Sequence, residues 1–168
     1  VTAAVLPIDI LLSALKIAKE NNITVSIDYN FRSKLWTRLK MRETMVKLIP
    51  YANVLFCGKT DACDLLESND ENCIIERLVE KFNIAVIATT NRVSMSVNRN
   101  EFSAKLYIQE KWYSSKKYVT EVLDRLGGGD AFASGLIYAL TKNYDYQSAI
   151  EFAAAASVLK LTNEGDFL

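Results

Sequence analysis

Three glycines and an aspartate, Gly127-Gly128-Gly129-Asp130, open a run of small and apolar residues at helical spacing, from Ala131 through Phe132 and Gly135 to Leu140. Glycines entering a helix leave several backbone N–H groups unpaired and free of side-chain bulk. With the positive end of the helix dipole, those donors make an anion site. A carboxylate beside such a site repels a phosphate unless it takes a proton from the group that attacks that phosphate. The arrangement therefore points to phosphoryl transfer with Asp130 as the base. A simpler reading is a tight turn in which Asp130 caps the helix. Three successive glycines exceed what a cap requires, because each costs conformational entropy.

The rest of the composition narrows the chemistry. The 168 residues contain no histidine, which removes Ser-His-Asp and Cys-His mechanisms and most transition-metal sites. Lysine plus arginine equal aspartate plus glutamate at 20 each, so no basic excess supports a nucleic-acid or membrane-surface partner. No apolar run reaches membrane-spanning length. Cys57, Cys63 and Cys73 are odd in number and lack CxxC spacing; they read as reduced cytosolic thiols, implying a cytoplasmic protein. Half the residues are apolar, and the length suits one domain over 1–168.

The elements that must position these residues alternate. Apolar spacing predicts a helix over Ile8 to Glu20, ended by Asn21-Asn22, then a short buried strand over Ile23 to Ile27. A second helical pattern stops near Pro50, Asn53 to Phe56 is a strand, and Asp61 to Glu67 a short helix. Asp70 reads as the N-cap of a helix to Phe82, and Ile84 to Ala88 as a third buried strand. Val93, Met95 and Val97 then alternate with polar residues, and Asn98-Arg99-Asn100 turns the chain into Phe102 to Ile108, a hairpin. Two helices close the chain, from about Gly129 to Lys142 and from Asp145 to about Thr162. Such alternation implies an α/β fold with a mostly parallel sheet covered on both faces, its ligands at the carboxyl ends of the strands. Val1 to Pro7 is an apolar lead-in that reads as the remainder of a preceding strand.

Polar clusters lie at those strand ends. Asp28-Tyr29-Asn30-Phe31-Arg32 follows the first strand, and an arginine there can fork onto a carboxylate or phosphate. The alternative is a capped, solvated loop, with Trp36 in the core. Gly58-Lys59-Thr60 is not a P-loop, because position 53, where that motif needs glycine, is Asn53. Thr89-Thr90-Asn91-Arg92 follows the third strand and could meet phosphates or simply enter the hairpin. Phe152 to Ser157 is a small-residue helix face suited to close helix packing.

Asp124-Arg125-Leu126-Gly127-Gly128-Gly129-Asp130-Ala131-Phe132-Ala133-Ser134-Gly135 resembles the D-T-x-G-A-G-D-x-F-x-x-G signature of the PfkB (ribokinase-like) carbohydrate kinases, with Arg125 for threonine and Gly128 for alanine. Asp28 to Trp36 is similar to the D-x-N-x-R-x-x-L-W segment of that family's 2-keto-3-deoxygluconate kinase branch. Thr90-Asn91-Arg92 and the tail Gly165-Asp166-Phe167 resemble the same branch. The resemblance implies a three-layer αβα ribokinase-like fold, with the family's N-terminal part and β lid lying outside this chain. It implies Asp130 as base, Gly127, Gly128 and Gly129 as anion hole, Arg32 and Asn30 on substrate, Asp28, Thr90, Arg92, Arg125 and Ser157 near the nucleotide, and the face from Phe152 to Ser157 against adenine, which close helix packing explains equally well. ATP and Mg²⁺ would be the cofactors, a sugar acid the partner, and the full-length enzyme a homo-oligomer. The family's N-x-x-E motif is replaced by Gly58 and Asp61, which leaves Asp61 the only metal candidate there. Implied activity is ATP-dependent phosphorylation of 2-keto-3-deoxygluconate, with fructokinase, another sugar kinase or a non-catalytic nucleotide-binding remnant as alternatives. These 168 residues alone are expected to bind nucleotide at most, without turnover.

Overall fold

The computed structural model describes residues 8–165; the lead-in Val1 to Pro7 and the tail residues Asp166 and Phe167 lie outside the described residues. Two compact units are present, one up to Ala88 and one from Thr89 on.

In the first unit, α1 (Ile8–Glu20) precedes β1 (Ser26–Asp28), α2 (Arg38–Leu48) and a 3₁₀ turn (Ile49–Tyr51). β2 (Val54–Phe56), α3 (Lys59–Leu66), α4 (Ile74–Phe82) and the start of β3 (Val86–Ser94) follow. The strands pair parallel, with Ile27 beside Leu55 and Leu55 beside Ile87. β2 lies between the other two and is buried throughout, as its Val-Leu-Phe sequence requires. Met41, Ile49, Leu65, Ile74 and Leu78 complete this core.

Two sequence expectations change here. The strand expected over Ile23 to Ile27 covers Ser26–Asp28, and Ile23 is 57% exposed. β1 has a neighbour on one side only among the described residues, so its residues are not enclosed like those of β2. The helix expected from Asp70 begins at Ile74, behind a left-handed Cys73 (φ 49°). The Asp70 carboxylate instead accepts the Asn72 N–H at 2.9 Å, a local turn that competes with helix for the same backbone.

The second unit begins as β3 runs on to Ser94. The Met95 N–H donates to the Arg99 carbonyl (2.9 Å), closing the hairpin into β4 (Arg99–Ile108). Arg99 and Asn100, expected in the turn, are already in the strand. β4 pairs antiparallel with β5 (Lys111–Ser114) and with β6 (Tyr118–Glu121), two strands the sequence pattern does not reveal. Both are four residues long and largely exposed, too short for their alternation to stand out. Helices α5 (Gly128–Thr141) and α6 (Tyr146–Leu161) complete the unit. Asp145 caps α6 by accepting the Ser148 N–H at 3.0 Å. The two helices touch at Gly135: a Cβ there would stand 3.2 Å from both Ala153 Cα and Ala156 Cβ. Ala153 of the small-residue face packs against α5 at this point, and Ala154 is buried beside it in sequence.

Candidate active site

The glycine run enters α5 as expected, but the cap is Gly127 itself. Its φ of 71° lies in the left-handed region, open to glycine at no steric cost. No side chain caps the helix, and Asp130 sits in its first turn. The first-turn N–H groups of Gly128, Gly129 and Asp130 have no carbonyl four residues back within the helix to accept them. The first intrahelical bond runs from Ala131 N–H to the Gly127 carbonyl (2.8 Å). Asp130 is exposed and, among the described residues, its side chain has no hydrogen bond or ion pair. Its carboxylate is free to act on something else.

Arg92 flanks this turn. Its Nη2 lies 3.5 Å from where a Gly128 Cβ would be, and its guanidinium packs 5.6 Å over the Phe102 ring. The residue as a whole is exposed, but this packing withdraws the guanidinium partly from water. That withdrawal, and the nearby charge of Arg125, lower its pKa. Two cations held near one another beside a helix N-terminus favour an anion. Thr90 is exposed on β3, two residues earlier and hence on the same face of the strand as Arg92.

Behind the glycines, α6 supports the turn at several points. The fully buried Ser157 hydroxyl donates to the Gly128 carbonyl at 2.8 Å. The Leu161 carbonyl accepts the N–H groups of Leu123 (2.9 Å) and Asp124 (3.4 Å). Leu161 Cδ2 would stand 3.0 Å from a Gly128 Cβ. The Asp124 carboxylate accepts the Leu126 and Gly165 N–H groups at 2.9 and 3.1 Å, which chiefly holds its pKa below the ordinary value; Lys160 adds to the shift. Lys160, Leu161 and Asn163 carry no motif, and sequence reasoning missed them. The one signal available was a lysine among the alanines and leucines of α6.

In the first unit, the segment after β1 is a structured loop. Asn30 adopts a left-handed conformation (φ 41°), its N–H donates to Asp28 (3.1 Å), and its side-chain oxygen accepts from Arg32 Nε (3.0 Å). Arg32 is exposed, so the rest of its guanidinium faces solvent. Tyr29 anchors the loop: it is buried, its N–H donates to the Phe56 carbonyl (2.9 Å), and its hydroxyl donates to Asp64 (2.6 Å). Burial, chiefly, with this hydrogen bond, raises its pKa. Trp36 is only partly buried, with an indole N–H that is enclosed and unpaired. Asp61, in the first turn of α3, takes the Gly58 N–H and pairs with Arg38 at 3.7 Å. Burial nonetheless raises its pKa. Among the described residues, no group of three or more His, Cys, Asp or Glu could hold a metal ion. The three cysteines are free thiols.

The sequence profile of the pfkB family carbohydrate kinase matches residues 1–167. The chain belongs to this family. Among its pfkB relatives, 2-dehydro-3-deoxygalactonokinase of Haloferax volcanii is 27% identical over 153 residues, 90% of this chain and 46% of the relative. A 5-dehydro-2-deoxygluconokinase of Clostridium botulinum is 25% identical over 88% of this chain and 43% of its own length. The crystal structure of 2-dehydro-3-deoxygluconokinase from Thermotoga maritima superimposes with a TM-score of 0.89 at 36% identity, covering 96% of this chain and 51% of that one. The ribokinase-like αβα fold expected from the sequence is therefore present. The chain spans about half the length of these pfkB relatives.

Proposed function

We propose that this chain carries the phosphoryl-transfer half of a kinase for 2-keto-3-deoxy sugar acids, most specifically 2-keto-3-deoxygluconate to its 6-phosphate. The observation that carries the reading is the first turn of α5. Three backbone N–H groups, a left-handed Gly127 and an Asp130 carboxylate engaged by no other described residue share one helix entrance. The relatives named above act, by their names, on deoxy keto sugar acids, which supports the substrate class.

Asp130 takes the proton of the terminal hydroxyl as its oxygen attacks the γ-phosphorus, and the bond from that phosphorus to the bridging oxygen breaks. The N–H groups of Gly128 and Gly129, set by Gly127, hold the charge that develops on the equatorial oxygens. Arg92 and Arg125 supply cationic charge to the nucleotide phosphates. Ser157 supports Gly128 from behind. Arg32, oriented by Asn30, forks onto the sugar-acid carboxylate. Magnesium, when bound, would supply charge neutralisation at the nucleotide phosphates. Mg²⁺ keeps several waters and binds largely through phosphate oxygens. Asp61, already paired with Arg38, would add at most one carboxylate to it.

Titration of the 168-residue chain with Mg-ATP, followed by an assay for phosphorylated 2-keto-3-deoxygluconate, tests the reading. Nucleotide binding without turnover is expected, because the relatives are about twice as long. Failure to bind Mg-ATP would remove the anion site, and full turnover would remove the need for a second half.

A further inference from the structure

Tyr29 is 1% exposed, although Asp28 and Asn30 on either side of it are exposed, and the chemistry above gives it no part. Its hydroxyl donates to Asp64 Oδ2 at 2.6 Å, and its N–H donates to the Phe56 carbonyl at 2.9 Å. One residue thus ties the end of β1 to both β2 and α3. Asn30, which follows, holds a left-handed backbone (φ 41°), a conformation that persists in a residue with a Cβ where its surroundings fix it. Beyond Asn30, the Phe31 ring lies 4.4 Å from the Arg38 guanidinium, which pairs with Asp61 at 3.7 Å. Asp61 and Asp64 are three residues apart in α3 and so are neighbours on its surface. The loop is therefore secured to α3 on both sides of Asn30. Held in that way, the Asn30 side chain accepts from Arg32 Nε at 3.0 Å and leaves the two terminal nitrogens of an exposed arginine to meet a ligand.

We propose that Tyr29 is a positioning residue for Arg32. Its hydrogen bond to Asp64 fixes the left-handed turn at Asn30, and that turn aims the guanidinium fork at the carboxylate of the sugar acid. Affinity for the acid then depends on a buried phenol that never touches it. This rests on the reading of Arg32 as the carboxylate-binding residue.

The test uses a full-length enzyme carrying residues 1–168 and compares Tyr29→Phe, Asp64→Ala and Asp64→Asn, each alone and in an Arg32→Ala background. Tyr29→Phe keeps the ring and removes the donor, while Asp64→Asn keeps an acceptor oxygen. Tyr29→Phe and Asp64→Ala should each raise KM for 2-keto-3-deoxygluconate about tenfold, the scale of one hydrogen bond to a charged group. Asp64→Asn should stay within about threefold of wild type, and kcat and the KM for Mg-ATP should hold within about twofold in all three. Once Arg32 is replaced, Tyr29→Phe should add less than about twofold, because residues acting through one contact are not additive. A wild-type KM in Tyr29→Phe overturns the proposal. So does an equal loss in both backgrounds, which would place Tyr29 outside the path through Arg32. If Tyr29→Phe does not fold, Asp64→Ala carries the same outcomes from the other side of the bond. If Arg32→Ala leaves the KM unchanged, the carboxylate reading of Arg32 fails. Hydrogen exchange at the Asn30 and Leu35 amides, bonded to Asp28 and to the Arg32 carbonyl, then decides the role of Tyr29. Faster exchange in Tyr29→Phe supports it, and unchanged exchange contradicts it.

Discussion

The buried hydroxyl of Ser157 donates to the carbonyl of Gly128 at 2.8 Å, joining α6 to the first residue of α5. A family motif and a small-residue helix that look unrelated in the sequence are one mechanical unit. The donor array at the start of α5 points where it does because α6 holds its backbone from behind.

The packing against Gly128 sets the first prediction. A Cβ at this position meets Leu161 Cδ2 at 3.0 Å and approaches Arg92. Gly128→Ala should therefore push Leu161 or the turn aside, costing about 1–3 kcal/mol as overpacking does. Mg-ATP affinity should fall with it, since the same backbone carries the donors. Thermal unfolding and calorimetric titration check this; an unchanged Tm and affinity would mean the turn has room to give.

Arg32 bears on substrate choice. Its Nε is held by Asn30, so the two terminal nitrogens are presented as a pair. Lysine cannot reproduce that fork. In a full-length enzyme carrying this segment, Arg32→Lys should raise KM for the sugar acid about tenfold or more, the worth of one charge-assisted bond. Its kcat for a neutral hexose should hardly change. Equal loss on both substrates would take Arg32 away from the carboxylate.

Two aspartates give pH dependences of opposite sign. Asp124 has its folded pKa lowered from 3.8, first by the Leu126 and Gly165 N–H groups. It contributes stability above its unfolded pKa and loses that contribution as pH falls through the folded value. Asp61 has its folded pKa raised from 3.8, first by burial. Its contribution is full below 3.8 and is lost as pH rises through the folded value. Asp124→Asn should thus destabilise the chain at neutral pH and approach wild type in acid. Asp61→Asn should match wild type in acid and equal or exceed it at neutral pH. Denaturant unfolding across pH 2–7 tests both, and curves of the same sign would contradict the assignment.

The sequence made the helix entrance at Gly127 legible because its requirement is steric: a left-handed residue and uncovered N–H groups leave glycine in the text. Ile8–Glu20 was equally readable, as its apolar spacing ends on two asparagines. β5 and β6 left no such trace, because four largely exposed residues each are defined by pairing to β4 and by nothing local. Asp70 misled because a carboxylate that can cap a helix can also close a turn. Tyr29 was invisible for another reason: its role comes from burial and from distant partners, Phe56 and Asp64.

The most direct test of the account is Asp130→Asn in a full-length enzyme carrying residues 1–168, with kcat and Mg-ATP affinity measured together. The substitution keeps the size of a side chain that has no partner among the described residues, so the fold should be indifferent to it. Loss of a general base costs about 10²–10⁴ in rate. The predicted result is a kcat lowered by that factor with Mg-ATP affinity within about twofold of wild type. Turnover near the wild-type rate would contradict the assignment of Asp130 as the base.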